Sequence, residues 1–402
     1  MKKIIPLLSA STLCASASNV GDYLKFSGDI RARFEARETD PADPSTAFTV
    51  STRLGLEIGE FNGFSAFIQG EGTYGLARDF RSNPSPAPQT RPFVVGNSVI
   101  GDPDNAEINQ AYLQYSKDGF LVKVGRQAII RGGAQHIGNV AWRQNMQTFD
   151  AAQIGYKKEN FSVSYVYSDR AQRIFGIDPD ANNPLEEFQG DFHFIDADYK
   201  TDFGKIAGYV YLIDVDSFGN GLLANVGESN TYGAYVESDS YYAEFAFQDG
   251  TSNLQGGDYD AIYAHLKYST KIGGAGVAAG LEYLGDGFKT PFSTVHKFNG
   301  FADAFILQRI GLNAGPGGNF DGIADFYLNY SRKDLPGGII FKGALHAFMD
   351  EDFEDTYGYE ADAVLVKKFS PELTGLLKAA YFSGEDFYED IKQVSVQLDY
   401  KF

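Results

Sequence analysis

The sequence of 402 residues has one cysteine, one tryptophan and three methionines. It also has no uninterrupted apolar run of about 20 residues, the length that a membrane-spanning helix requires. The single cysteine excludes an intramolecular disulfide. Acidic residues outnumber basic ones, 53 to 34, and the formal net charge is −19. This charge argues against a nucleic-acid partner, because nucleic acids bind to basic protein surfaces.

The N-terminal segment is predicted to be a signal peptide. Lys2-Lys3 precede an apolar stretch from Ile4 to Leu13, and small residues follow as far as Ala17. This order is typical of an export signal, so we expect residues 1–17 to be removed. A buried first helix is the alternative interpretation. Cys14 lies in the segment predicted to be removed, which leaves the mature chain without thiol chemistry.

The abundant residues favour strands and turns over helices. The chain contains 33 Phe, 25 Tyr and 45 Gly. Apolar and polar residues alternate from Leu24 to Glu35, from Phe161 to Ser168 and from Tyr241 to Gln248. About eighteen segments of this kind can be counted, and a period of two indicates a strand with one apolar face.

The connections between these segments predict how the strands are arranged. Long connections, the first near residues 36–46, alternate with short ones such as that near Phe61–Gly63. An outer-membrane barrel has short periplasmic turns and longer external loops. We therefore predict an all-β fold, a transmembrane antiparallel β-barrel of about 18 strands formed by residues 18–402 as a single domain. A secreted sandwich, β-helix or propeller is the alternative.

The C-terminal segment supports closure of the sheet. From Lys392 to Phe402 the alternation continues to the last residue. A strand that closes a barrel cannot fray without exposing a sheet edge to lipid. We expect the last strand to pair with the first, and Phe402 to lie at the membrane boundary, where aromatic girdles occur.

Several motifs carry a family resemblance. Tyr283-Leu284-Gly285-Asp286 precedes His296-Lys297-Phe298-Asn299-Gly300-Phe301-Ala302-Asp303, and Gly138 to Ala151 contains a second distinctive stretch. These motifs resemble the alginate export family of bacterial outer-membrane β-barrel porins, from about residue 24 to the C-terminus. The resemblance implies a single-chain barrel with a channel. It also implies passage of an acidic polysaccharide or its fragments.

The arginines are concentrated in one part of the chain, because only Arg309 and Arg332 lie beyond residue 173. Consecutive strands are neighbours in such a barrel, so the strand residues predict a positive strip on one inner wall, suited to anions. A structural ladder with nearby Glu residues is the equal alternative. Arg126 has outward phase unless a bulge turns it. The predicted pore-lining residues are Arg31, Arg33, Arg53, Lys123, Arg126, Arg131, Arg143, Arg170 and Arg173.

The loops 129–148 and 285–320 are predicted to narrow the passage, with Trp142, His296 and Lys297 as constriction residues. We predict a passive channel of the bacterial outer membrane for anionic or polar solutes, with no catalytic residues, metal or cofactor. The alternatives are an exporter working with a periplasmic secretion complex and an outer-membrane enzyme. The expected partners are outer-membrane lipid, lipopolysaccharide, the solute and the outer-membrane assembly machinery, while the oligomeric state stays open.

Overall fold

The computed structural model describes residues 23–84, 91–176, 185–217, 221–312 and 321–402. Within these ranges, eighteen antiparallel strands form one sheet in which consecutive strands pair and the first strand also pairs with the last. The predicted barrel and its strand number are therefore confirmed. The predicted signal peptide, residues 1–17, lies outside the described residues.

The strands have the following bounds: β1 (Leu24–Thr39), β2 (Ser45–Phe61), β3 (Phe64–Asp79), β4 (Asn105–Lys117), β5 (Phe120–Gln127), β6 (Thr148–Lys158), β7 (Phe161–Gln172), β8 (Glu187–Thr201), β9 (Gly204–Val215), β10 (Glu228–Glu237), β11 (Tyr241–Ser252), β12 (Gly257–Ile272), β13 (Ala275–Leu284), β14 (Ile323–Leu335), β15 (Ile339–Met349), β16 (Thr356–Lys368), β17 (Leu373–Gly384) and β18 (Ile391–Lys401). Two short helices lie in outer loops, α1 (Gly221–Val226) and α2 (Ile306–Arg309). Within the described ranges, no helix has the length and hydrophobicity to span a membrane.

The two faces of the sheet differ in polarity. Leu54, Leu113 and Leu266 are exposed on the outward face, whereas Arg33 and Gln248 are fully buried on the inward face. Successive side chains of a strand point to opposite faces, so the alternation in sequence places apolar residues outside and polar residues inside. This is the arrangement that a barrel in lipid requires.

The barrel closes at its C-terminal residue. β1 and β18 pair from Asp29 opposite Lys401 to Thr39 opposite Ile391. Beyond this ladder, Gly28 and Phe402 exchange two backbone hydrogen bonds of 2.8 and 3.0 Å. The Phe402 ring covers Gly28, where any side chain would overlap it. The predicted pairing of the last strand with the first is confirmed.

The first outer loop is shorter than predicted. We expected it near residues 36–46, but β1 continues to Thr39 and β2 begins at Ser45. The strands extend because Arg37 pairs with Ser45 in the ladder, although Arg37, Glu38 and Thr39 interrupt the apolar alternation. A polar strand end can therefore be missed when strands are identified from apolar residues.

Two long outer loops fold into the barrel. The third outer loop (128–147) and the seventh outer loop (285–322, described at 285–312 and 321–322) meet through a bridge between Ile137 and Phe292. Their apolar side chains join inward strand residues in a buried cluster inside the sheet. The cluster includes Phe149, Phe192, Phe194, Phe292, Val295 and Phe305.

Candidate functional site

Three of the predicted pore arginines bind the third outer loop. Arg31 and Arg33 both donate to the Trp142 carbonyl, the former at 3.2 Å. Arg53 donates to the Gln144 carbonyl at 2.6 Å. Their guanidinium groups are therefore occupied by the backbone of a loop that crosses the interior. They fasten this loop to the wall formed by β1 and β2.

The same three arginines also meet carboxylates. Arg33 is completely buried, and Arg53 is nearly so. A buried guanidinium needs a paired charge, because desolvation of an isolated ion is costly. This arrangement matches the structural ladder left open by the sequence. The pairs are Arg31 with Asp399 at 2.7 Å, Arg33 with Asp102 at 3.2 Å, and Arg53 with Glu71.

Arg143 reaches from the third outer loop to two other parts of the interior. Its guanidinium lies 3.1 Å from Glu35 on β1 and 3.2 Å from Asp303 on the seventh outer loop. Asp102 is a third carboxylate, at 3.7 Å. Burial alone would lower the pKa of Arg143, but these three negative charges outweigh it and raise the pKa above its usual value. Arg143 thus joins both loops to the wall.

The predicted constriction residues lie in an aromatic stack. The Trp142 and His296 rings are stacked with centroids 4.7 Å apart, and Phe301 stacks on His296 at 5.5 Å. Two cations from the wall contact the Trp142 ring, Arg33 at 4.0 Å and Lys378 at 3.5 Å. The third and seventh outer loops therefore meet inside the barrel against the wall formed by β17, β18 and β1.

The seventh outer loop is also fixed to β13 and β16. Arg309 of α2 pairs with Glu282 at 2.9 Å. Near the loop tip, the Ala302 backbone donates to Glu360 at 2.7 Å, and the Phe301 backbone donates to Asp362 at 3.2 Å. Sequence reasoning missed these anchors, because the carboxylates appeared only as ordinary polar residues on strands.

The other inward candidates have varied surroundings. Arg131 pairs with Asp196 at 2.9 Å. Lys123 lies on the inward face of β5, 4.4 Å from the Tyr112 ring. Lys297 is exposed and donates to the backbone of the third outer loop at 2.7 Å. Arg173 donates to the Gln147 side chain and to the Pro291 carbonyl, both neutral partners.

Arg126 and Arg170 do not line the lumen. Arg126 has the same phase on β5 as Val122 and Val124, which are exposed on the outside. Asp150 is directly opposite Arg126 and also directly opposite Arg170, and directly opposed residues share a face. The bulges that we considered for turning Arg126 inward lie instead on the β6–β7 and β7–β8 pairs.

A cavity of about 670 Å³ lies on the periplasmic side of the loops. Lys271 of β12 and Lys342 of β15 line it, together with Phe301 from the seventh outer loop. Within the described ranges, neither lysine has an ion-pair partner. The lysines that do pair with carboxylates are Lys25, Lys205, Lys392 and Lys401. Sequence reasoning overlooked Lys271 and Lys342, although both have inward phase.

Buried histidines pair with carboxylates inside the barrel. His136 lies 3.2 Å from Glu244, and His296 lies 2.7 Å from Asp303. Among the described side chains, no serine or threonine hydroxyl is hydrogen-bonded to a histidine ring. No group of three His, Cys, Asp or Glu residues in the described part of the chain could hold a metal ion.

Comparisons with known proteins agree with this fold. A family model described as alginate export matches residues 22–207. The barrel is similar to Pseudomonas aeruginosa OpdK with vanillate (13% identity, TM-score 0.65, 95% of this chain and 99% of that chain). It is also similar to OccK9 (OpdG) of the same organism (12%, 0.66, 95% and 99%) and to OccK2 (OpdF) in complex with glucuronate (12%, 0.64, 94% and 96%). No curated protein sequence matches the chain.

Proposed function

We propose that this chain, an alginate export-type β-barrel of the bacterial outer membrane, passes small organic anions through its lumen without chemical change. Its family and fold are those of porins and channels, which conduct solutes rather than convert them. The anionic character of the solute is the part that we infer. Uronic acids and short acidic oligosaccharides are the saccharides that fit this class.

One observation carries the proposal. Although the chain has a net charge of −19, Lys271 and Lys342 line the periplasmic-side cavity with a single carboxylate, Asp239, and neither lysine forms an ion pair with a described residue. Ammonium groups along a pore lower the barrier for an anion, and moderate binding allows the anion to leave. Several carboxylates inside the barrel are instead paired with arginines, as in the pair of Arg309 with Glu282.

The other lining groups of this cavity suit a sugar acid. Ser269, Asn329 and Ser331 offer hydrogen-bonding groups, and Phe301 offers an apolar ring face. A lysine can meet the carboxylate while these groups meet hydroxyls. The related barrel OccK2 (OpdF) has been solved in complex with glucuronate, which is a precedent for a uronic acid in this fold.

The alternative of a dedicated polysaccharide exporter is favoured by the family description alone. The contacts of both long loops oppose it, because Trp142, His296 and Phe301 stack across part of the interior. A polymer would need the seventh outer loop to leave the barrel, which would break the pairs that Arg143 and Arg309 form. The periplasmic-side cavity, of about 670 Å³, has the size of a small-molecule site rather than of a polymer channel. An outer-membrane enzyme is the less favoured alternative.

Ion selectivity in planar bilayers tests the proposal. The reversal potential across a KCl gradient should indicate anion preference, and Lys271→Gln with Lys342→Gln should lower the chloride-to-potassium permeability ratio by at least about fivefold, since each charge at about 4 Å in water contributes about 1 kcal/mol. Lys392→Gln is the matched control, because Lys392 is exposed on the outward face and pairs with Glu38. Cation preference, or an unchanged ratio in the double variant, would contradict the proposal.

Two expectations about export stay proposals. We propose that residues 1–17 are cleaved and that the C-terminal strand ending at Phe402 is recognised by the outer-membrane assembly machinery. The mass of the purified protein tests the first, since cleavage after Ala17 leaves residues 18–402. The amount of folded barrel formed by a variant lacking Phe402 tests the second.

A further inference from the structure

A second cavity, of about 340 Å³, lies on the extracellular side of the aromatic stack. The outer end of β1 and parts of the second, third, fourth and seventh outer loops surround it. Its volume is in the range of small-molecule sites, which are mostly apolar with a few placed polar groups. We call it the outer cavity, and its basic lining residues are Arg37, Arg81, Arg143 and Arg173.

Arg173 is the first unusual group of the outer cavity. Only 6% of the residue is exposed, yet its guanidinium forms no ion pair with a described carboxylate. It donates to the Gln147 side chain and, at 2.8 Å, to the Pro291 carbonyl, and it lies 4.5 Å from the Phe188 ring. Burial lowers its pKa to about 10. A buried cation with only neutral partners is expensive, so this site favours a counter-anion.

Arg37 is a second buried arginine without a salt bridge to a described carboxylate, although the charges of Asp303, Glu35 and Glu360 act on it. It is 9% exposed and donates to the Gln393 side chain at 2.7 Å, again a neutral partner. The carboxylate that lines the outer cavity is Asp303, which is already engaged by Arg143 at 3.2 Å and His296 at 2.7 Å. The cavity therefore has two arginines that form no ion pair with a described carboxylate and that an anion entering it could meet.

Most of the remaining lining of the outer cavity is apolar, although Thr39, Asn97, Ser98, Ser293 and Gln308 also line it. Aliphatic side chains from the third and seventh outer loops form most of one wall, and α2 supplies two of them, Ile306 and Leu307. A sugar bound against this wall would leave hydroxyls facing side chains that cannot accept or donate hydrogen bonds, which is unfavourable. The aliphatic residues are Val140, Val295, Ile306, Leu307, Ile310 and Leu312.

We propose that the outer cavity binds a monocarboxylate with a compact apolar body, with the carboxylate between Arg37 and Arg173 and the body against α2. Arginine holds a carboxylate through its planar fork, and the aliphatic wall supplies the hydrophobic part of the affinity. The site differs in chemistry from the periplasmic-side cavity, because its cations are buried arginines beside an aliphatic wall, whereas Lys271 and Lys342 are exposed. Because this proposal narrows the class of solute, it rests on the proposed passage of anions. Binding to the outer cavity can nevertheless be measured without measuring conduction.

Calorimetric titration of the detergent-purified barrel tests this site. The probe is 4-phenylbutyrate, and two analogues separate its features: 4-phenylbutyramide keeps the body without the charge, and gluconate keeps the charge without the apolar body. We expect each analogue to bind at least about tenfold more weakly than 4-phenylbutyrate. Equal binding of the amide or of gluconate would overturn the proposal.

Three variants locate the binding. Arg173→Met, Arg37→Met and Leu307→Asn should each weaken 4-phenylbutyrate binding about tenfold, while Arg170→Met, on the outward face, should leave it unchanged. The heat-modifiable mobility of each variant in gel electrophoresis, compared between heated and unheated samples, shows whether the barrel has folded. If Arg173→Met fails to fold, because the Arg173 side chain anchors Pro291, the other two variants still test the site. Unchanged binding in both Arg37→Met and Leu307→Asn would refute it. Anion-selective conductance without binding would refute only this site, whereas binding with cation selectivity would refute only the proposed function.

Discussion

Lys289 lies buried at the beginning of the seventh outer loop. Its ammonium nitrogen donates to the Val226 carbonyl at 2.8 Å and lies 4.4 Å from the Tyr259 ring. Burial lowers its pKa to about 7, compared with about 10.4 in an unfolded chain. Between these two values the unfolded chain binds more protons, so the stability contributed by this group falls as the pH drops from 10 to 7.

We therefore predict that Lys289→Met reduces the pH dependence of stability. Between pH 10 and pH 7, the free energy of unfolding of the wild-type protein should fall by up to about 4 kcal/mol more than that of the variant, because the variant has no amine to protonate. Urea unfolding in detergent at both pH values measures the difference. Lys392→Met is the control and should behave as wild type, since Lys392 is exposed. Equal pH dependence in wild type and Lys289→Met would be evidence against a dehydrated amine.

The direction of most strand side chains was predictable, but their partners were not. The alternation of apolar and polar residues placed Arg31, Arg33 and Arg53 inward, because side-chain direction along a strand repeats every two residues. Nothing local to β1 and β2 indicated that backbone carbonyls of the third outer loop would accept their hydrogen bonds. For Arg126 the simple phase was correct, because no bulge interrupts the β5–β6 pairing.

Among the larger elements, the seventh outer loop depends on a glycine at its tip. Gly300 has φ +82°, and a side chain there would overlap the Glu360 carboxylate. The adjoining backbone amides of Phe301 and Ala302 donate to Asp362 and Glu360. Position 300 thus lets the loop approach β16 closely enough for both hydrogen bonds.

We predict that Gly300→Ala displaces this tip and loosens the stack of Phe301, His296 and Trp142. Single-channel conductance should rise and stability should fall by roughly 1–3 kcal/mol, because the added group overpacks a buried contact. The emission of Trp142 should also change, and this residue is the only tryptophan. These quantities are measured in planar bilayers, by urea unfolding and by fluorescence.

Gly337→Ala is the matched control for this variant. Gly337 also has a positive φ, +75°, but its side chain would meet only Lys367 at 3.8 Å, in the turn between β14 and β15. It should therefore carry the backbone strain without moving the loop tip. Conductance and emission that change equally in both variants, or in neither, would show that the tip does not depend on Gly300.

The position of the long loops could be predicted only in part. Motifs around His296 and Trp142 identified the two loops, and their length indicated functional segments. Their packing inside the barrel depends on contacts between residues far apart in sequence, such as Lys378 with Trp142. Lys378 itself appeared as one inward residue among many, so it gave no separate signal.

At the scale of the whole molecule, the barrel was predictable because its requirements are repeated in every strand. Each strand must alternate apolar and polar residues, and each periplasmic turn must be short. The packing of the third and seventh outer loops inside the barrel, and the pairing of charges there, do not follow such a repeat. The net charge of −19 did not indicate that two lysines without an ion pair to any described residue would line a cavity, because the total says nothing about location.

The most direct test of the central claim, anion passage through a narrowed lumen, compares three sugars of similar size in a liposome-swelling assay at neutral pH. Glucuronate is negative, glucose is neutral and glucosamine is positive, so charge is the main difference between them. The account predicts that glucuronate enters fastest and glucosamine slowest. Faster entry of glucosamine than of glucuronate, or equal rates for all three, would contradict it.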